Sequence, residues 1–307
     1  MGRSRVVLPA VSVALVVIAA CSSGSGDDAP VQAAPRTVVV ASFNFPESHL
    51  LAEIYSQALE GDGYAVERSF DLGPRELVVP ALLRGLVDFV PEYAGTALQF
   101  LSAGREGGQT DTASTSTALR EVVTDLPVRA LAPAPAQDAN AFVVTRATAD
   151  RYGLVTLSDL AEVAGSLVFG GPPECPSRPL CLEGLENVYG ITFAEVVSLD
   201  TGGPLTHQAL EGGGIDVALL FTTDPVLGGD RLVELTDDRH LQPAENITPL
   251  VHGRMVERLG EGVVDRTDMT SAKLTTSALR ELNRQVAAGK DDIPTIAARW
   301  LRMDGVT

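Results

Sequence analysis

From Arg36 onward the chain alternates short apolar runs with longer stretches whose apolar residues recur every three or four positions. Thr37–Ala41 (TVVVA) is a β-branched run of strand length, and Phe45–Leu59 carries apolar residues at helical spacing. Tyr64–Ser69 predicts a second strand, Arg75–Arg84 a helix, and Phe89–Val90 a short strand before a turn. The Gly-, Ser- and Thr-rich stretch Gly104–Thr117 predicts a surface loop running into a helix over Thr117–Asp125. A second unit opens near Asn140, with a strand at Ala141–Thr145, a short helix at Thr148–Tyr152 and a helix over Thr156–Ala164 for which Thr156 is the N-cap. Leu167–Phe169, Glu195–Leu199 and Val217–Phe221 predict further strands, each followed by a turn rich in Gly, Pro or Thr. The chain finishes in helices around Ser277–Ala287 and Ile293–Leu301. Such alternation predicts an α/β layered fold with a largely parallel sheet, and no internal repeat is visible.

The first residues follow a different pattern. Arg3 and Arg5 precede the apolar run Val6–Ala20, which stops short of the roughly 20 residues that a spanning helix needs. The run ends Ile18-Ala19-Ala20-Cys21, small residues directly before a cysteine, as in a bacterial lipobox. Residues 1–20 are therefore expected to be a lipoprotein signal peptide and Cys21 the lipidated N-terminus, although an ordinary secretory signal with an incidental cysteine fits the same composition. Residues 21–35, rich in Ser, Gly, Asp, Ala and Pro, are expected to be a flexible tether.

Charge and cysteine content narrow the class. A formal charge of -17 makes nucleic acid an unfavourable partner. With 45 % hydrophobic and 21 % charged residues, the chain has the composition of a folded, core-forming protein. Cys175 and Cys181 remain once Cys21 is assigned to lipid; in an oxidising compartment they would form a disulfide, and in a reducing one they would be an idle thiol pair. The histidines His49, His207, His240 and His252 show no ligand spacing, so neither a metal nor a cofactor is expected. A Gly-x-Ser-x-Gly elbow, His-Glu-x-x-His, a phosphate-cradling loop and a Cys-His pair are all missing from the sequence, which argues against an enzyme. Glu47 and Glu53, six apart on the first helix, are read as helix-surface or capping residues.

Eight motifs, in order, carry a resemblance: Val40-Ala-Ser-Phe-Asn-Phe-Pro-Glu-Ser48, Leu51–Leu59, Asp71-Leu-Gly-Pro-Arg-Glu76, Pro91-Glu-Tyr-Ala-Gly-Thr-Ala97, Gly171-Pro-Pro-Glu-Cys175, Leu199-Asp-Thr-Gly-Gly-Pro204, Phe221-Thr-Thr-Asp224 and Gln242-Pro-Ala-Glu-Asn246. Together, over Thr37–Leu301, the chain resembles the glycine betaine/choline-type substrate-binding proteins of ABC importers. The resemblance implies a type II periplasmic-binding fold with a ligand cleft between two lobes. Lobe 1 would comprise residues 36–138 and 246–307, lobe 2 residues 139–245, with crossovers near Ala136–Asn140 and Pro243–Asn246. It also implies an extracytoplasmic, lipid-anchored monomer that binds a small quaternary ammonium solute and delivers it to an ABC permease in the membrane. The same fold could serve a different small solute, or act as a sensor or structural lipoprotein.

A quaternary ammonium group offers no hydrogen-bond donor, so aromatic faces and apolar contact must hold it; a betaine carboxylate wants Arg, Lys or backbone N–H groups. By resemblance, Tyr93 is a cage wall and Thr96 a polar contact. Arg178 matches an arginine that grips the ligand carboxylate in some relatives, and a structural ion pair is the alternative. Phe221 stands where relatives often carry a cage tyrosine, Phe43 where they commonly have lysine, and Asn140 and His207 near positions of cage tyrosines. Asp138 and Asp224 would favour a cation without a carboxylate, or serve as loop and capping residues. The lipobox reading is testable: Cys21→Ala should move the protein from the membrane to the soluble fraction, and retention on the membrane would refute it.

Overall fold

The computed structural model describes Gly2, residues 37–105 and residues 110–306; the expected signal peptide, Cys21 and tether lie outside the described residues. Among the described residues ten strands form two sheets: β1 (Thr37–Ala41), β2 (Ala65–Ser69), β3 (Phe89–Tyr93), β4 (Val128–Ala130), β5 (Asn140–Thr145), β6 (Val168–Gly171), β7 (Glu195–Ser198), β8 (Val217–Phe221), β9 (Leu232–Glu234) and β10 (Ile247–His252). The orders are β2-β1-β3-β10-β4 and β7-β6-β8-β5-β9. The protein is thus a mixed α/β molecule of two lobes, each with its own sheet.

Neither sheet is largely parallel. β1 pairs parallel with β2 and β3, whereas β10 runs antiparallel to both β3 and β4. The second sheet repeats this arrangement, with β5 antiparallel to β8 and β9. The reversal has a topological cause. β3 and β8 end at Tyr93 and Phe221, while β5 and β10 begin directly after a crossover, so Asn140 lies opposite Phe221 and Ile247 opposite Tyr93. A strand that leaves the cleft must pair antiparallel with one that arrives there. The two halves therefore share a topological pattern without any repeat in the sequence.

Packing follows the two-residue period of the strands. Phe142 and Val144 of β5 face one core with Phe169, Val217 and Leu219, while Ala141 and Val143 face the other with Ala218 and Leu220. The first sheet is covered by helices Pro46–Gly61, Gly262–Ser271 and Ile293–Met303, whose Leu50, Leu51, Ile54, Val263 and Trp300 join Val38, Val40 and Phe89 in a single core. Helix Pro46–Gly61 starts at a proline placed at its first turn, preceded by extended Phe45 (φ -142°), the arrangement that proline favours. Helix Thr112–Val123 begins at Thr112 instead of the expected Thr117, because the Asp111 side chain accepts from Ser114 N (2.9 Å) and caps it.

The chain passes between the sheets in residues 131–139 and 235–246. These segments lie antiparallel to one another: Gln137 bridges Asn246, Asp138 N donates to Glu245 O (2.9 Å), and Ile247 N donates to Ala136 O (3.0 Å). Helix Ala94–Leu101 packs its first turn on the second crossover so closely that a Cβ at Gly95 would stand 2.2 Å from Pro243 Cγ. Gly95→Ala should accordingly lower stability by about 1–3 kcal/mol, seen as a fall of several degrees in Tm. An unchanged melting curve would show that the crossover yields without cost.

Candidate ligand-binding site

The strand ends at the crossovers enclose a cavity of about 420 Å³, lined from the first lobe by Phe45, Arg75, Tyr93 and Thr96 and from the second by Asn140, Arg178, Leu219 and Phe221. Asp138 and Glu245 of the two crossovers complete its wall. A second cavity of about 380 Å³ lies next to it, lined by Glu47, Gly202, His207, Thr223, Asp224, Asn283 and Val286. Phe45 and Phe221 line both, and their rings stack at 5.4 Å with an interplanar angle of 23°, one ring from each lobe. Tyr93 lies 6.0 Å from Phe45, a tilted pair.

The first cavity thus brings together Tyr93, Thr96, Asn140, Arg178 and Phe221 from the sequence-derived set. Two members fall elsewhere. Phe43 is 3 % exposed and lines neither cavity: it stacks behind Phe45 (6.1 Å, 5°) and carries the Arg75 guanidinium over its ring at 4.9 Å. On extended backbone, residues two apart share a side, and here the second ring of Phe-Asn-Phe-Pro is the one that reaches the cavity. His207 lines the second cavity, its Nε2 2.9 Å from Asp224 Oδ2, and this hydrogen bond raises its pKa.

Several polar groups are already engaged. The Thr96 hydroxyl donates to Glu245 Oε1, and Gly95 N (3.0 Å) and Thr96 N (3.1 Å) donate to Glu245 Oε2. Asn140 Nδ2 donates to Leu180 O (3.0 Å) and Gln242 Oε1 (3.2 Å). Arg178 bridges the lobes, donating to Glu76 (2.9 and 3.2 Å) and standing 3.3 Å from Glu174. Burial would raise the Glu76 carboxyl, but the hydrogen bond and charge of Arg178, together with a backbone hydrogen bond and the charge of Arg75, hold it below its usual range. Cys175 and Cys181 are joined by a disulfide that closes the loop carrying Arg178.

Four groups that sequence reasoning left out or put on the surface prove central. Arg75, 8 % exposed, grips Glu92 with Nε and Nη2, each 2.9 Å from a carboxylate oxygen. Glu47, 6 % exposed, accepts from Tyr93 Oη (2.9 Å), Thr223 Oγ1 (2.5 Å) and Asn283 Nδ2 (2.5 Å), joining both lobes and the C-terminal helices. Phe45 supplies the stacked ring, and Glu245 the acid behind Thr96. Position in a loop directly after a strand was the available signal for Phe45 and Glu47; for Glu245 nothing but the Pro-Ala-Glu-Asn motif marked it. Glu53 is likewise buried, paired with Arg68 (2.7 Å).

The cavity is rich in buried acid. Burial, and then the charge of Glu47, raise Asp138 well above the ordinary aspartate range, and the same two causes raise Tyr93, whose hydroxyl therefore stays protonated. Burial pushes Glu245 up to about 7, against the hydrogen bonds from Thr96.

Two α/β lobes closing on an aromatic, acid-lined cavity at their strand ends define a solute-binding protein with the type II periplasmic-binding fold. A family model described as the substrate binding domain of ABC-type glycine betaine transport system matches residues 36–303, and the chain belongs to that family. It is a transport binding protein rather than an enzyme, of a class that works on the extracytoplasmic side of the membrane. The glycine betaine-binding protein YehZ of Escherichia coli (strain K12) is 26% identical over 302 residues, 95% of this chain and 96% of that protein. The carnitine transport binding protein OpuCC of Listeria monocytogenes is 26% identical over 286 residues, 86% of this chain and 85% of that protein. Among solved structures, a glycine betaine/carnitine/choline ABC transporter shares the fold with a TM-score of 0.67 at 22% identity, covering 88% of this chain and 99% of that one. A choline binding protein in complex with choline superposes with a TM-score of 0.64 at 17% identity, covering 88% of this chain and 89% of that one.

Glu245 generates a pH dependence. Its unfolded carboxyl titrates near 4.5 and the folded one near 7. Between these values the folded state keeps a proton that the unfolded state has lost, so stability falls as pH rises from 4.5 to 7 and stays low above. The loss is of order 3 kcal/mol. Glu245→Gln should flatten the fall of Tm between acidic and alkaline pH without abolishing it, since Asp138 contributes with the same sign. An unaltered pH profile would mean that Glu245 is ionised throughout.

Proposed function

We propose that this chain binds a small quaternary ammonium compound in the cavity between Phe45, Tyr93 and Phe221 and hands it to an ABC permease. The observation that carries this reading is the convergence of three aromatic rings from both lobes on a cavity walled by Asp138 and Glu245. Each ring beside a cation contributes roughly 0.5–2 kcal/mol. Residues 36–138 and 246–307 form one lobe and 139–245 the other, and contacts made in the closed form shift the population toward it. Cys21 would anchor the monomer to the membrane through lipid, with residues 21–35 as tether. Of the sequence-derived contacts, Tyr93 and Phe221 face the solute, Thr96 and Asn140 support the wall, and Arg178 closes the mouth against Glu76.

Calorimetric titration with glycine betaine, choline, carnitine, proline betaine and ectoine tests the ligand class. Tyr93→Ala should weaken the best of these at least tenfold, about 1.4 kcal/mol, in a protein that melts at a lower Tm but still cooperatively. Tyr93→Phe, which keeps the ring and loses the hydrogen bond to Glu47, should cost less. Affinity unmoved by Tyr93→Ala would remove this residue from the site.

A further inference from the structure

Asp138 is 3 % exposed and lines the first cavity, yet among the described residues no hydrogen-bond donor reaches its Oδ2. Its other oxygen is satisfied, Oδ1 accepting from Thr223 N (2.9 Å) and Thr222 Oγ1 (3.2 Å). Its neighbour there is the carboxyl of Glu47, since Thr223 bonds both, its N–H donating to Asp138 and its Oγ1 to Glu47 (2.5 Å). Glu47 already accepts three donors, the role of an ionised carboxylate, and two like charges at contact in a buried site cannot both persist. Among the described residues no guanidinium donates to either carboxyl: Arg75 is held by Glu92, Arg178 by Glu76 and Glu174, and Arg280 by the Thr222 carbonyl. A proton on Asp138, donated to Glu47, resolves the orphaned oxygen and the repulsion together.

We propose that the cleft exchanges a proton for its ligand: an organic cation arriving beside Tyr93 displaces the proton that Asp138 shares with Glu47, and the charge so exposed holds cations that carry no carboxylate. The inference rests on the reading of this cavity as the ligand site. A cation in the cavity lowers the cost of ionising Asp138, as any nearby opposite charge does, and the proton leaves to solvent. A zwitterion with a carboxylate gains less, because its negative end meets Asp138 and Glu245 while both arginines stay engaged.

Other titratable groups surround the pair, and Arg280 of helix Thr276–Ala288 is bonded to Thr222 O (3.0 and 3.1 Å). Tyr93, from β3, stays neutral and donates to Glu47. Arg75 and Glu92, from helix Arg75–Leu83 and β3, are a closed bidentate pair. His207 and Asp224 pair with each other on the second lobe, lining the neighbouring cavity. Arg178 and Glu76 pair across the mouth. Glu245, from the second crossover, also lines the cavity, but it titrates near 7 and is already ionised above that pH, so in the alkaline half of the range Asp138 is the group that yields the proton.

The test is calorimetric titration of the full-length chain in detergent with choline and with glycine betaine. Titrations in buffers of low and high ionisation enthalpy, from about pH 5 to about pH 9, count the protons exchanged. Choline should release close to one proton within that span, its affinity climbing up to tenfold per pH unit there, and it should bind more tightly than glycine betaine. Asp138→Asn should abolish the release and the pH slope, whereas Glu245→Gln should retain both. If Asp138→Asn does not melt cooperatively, Glu47→Gln takes its place. Choline binding without proton exchange overturns the proposal and leaves the site standing; so does release that survives Asp138→Asn and vanishes in Glu245→Gln. Tighter binding of glycine betaine than of choline overturns the preference for carboxylate-free cations. No binding of either probe overturns the proton exchange, and silence across all the compounds titrated above overturns the ligand class with it.

Discussion

Compensation of buried negative charge organises the interior of this protein. Glu47, Glu92, Asp138 and Glu245 are all nearly inaccessible, and Arg75 is the only buried arginine or lysine among the described residues. An unpaired buried charge costs several kcal/mol, so each carboxyl must recruit donors, and each does so from a different stretch of chain. Glu92 takes Arg75 and the N–H of Tyr93; Glu245 takes the first turn of helix Ala94–Leu101; Glu47 takes Tyr93, Thr223 and Asn283. Since Glu47 draws on the second lobe and on helix Thr276–Ala288, its satisfaction requires that three distant segments meet at the cleft. Asp138 is the exception, left half satisfied at the wall of the first cavity.

Aromatic packing completes the same layer. The Phe45–Phe221 stack joins the lobes at the boundary of two cavities, and Tyr93 ties the stack to Glu47 through its hydroxyl. The mouth is spanned by the Arg178–Glu76 pair, with Glu76 43% exposed, a kind of ion pair worth little in water. The interior contacts rather than the bridge at the rim therefore set how the lobes meet. A binding protein that must open and close benefits from this division, because a few buried contacts, sensitive to what occupies the cavity, can move the balance between states.

Much of the fold was legible because it depends on short-range periodicity. The runs Thr37–Ala41 and Val217–Phe221 coincide with β1 and β8, and the family motifs sit where strands deliver their ends to the cleft. Errors arose where a distant partner decides. Strand direction in β5 and β10 follows from the crossovers rather than from composition, and helix Thr112–Val123 extends through a Ser/Thr-rich stretch because Asp111 caps it. Phe43 and Phe45 are equivalent in the sequence; only packing sends one behind Arg75 and the other into the cavity. His207, placed by alignment near a cage position, lies instead against Asp224 in the neighbouring cavity.

By itself, the sequence determined the alternation of strands and helices, the motifs at the strand ends and hence the family, because these are encoded in neighbours along the chain. It also named Tyr93 and Phe221, whose rings line the first cavity. The tertiary structure alone decided which carboxyls would be buried, which arginines would be spent, and which oxygen would be left without a donor. Glu47 and Glu53, on different faces of one helix, both read as surface or capping residues in the sequence, yet one is buried beside Asp138 and the other against Arg68. The charge state of a cleft is a property of the distances between segments remote in sequence, and no local pattern records those distances.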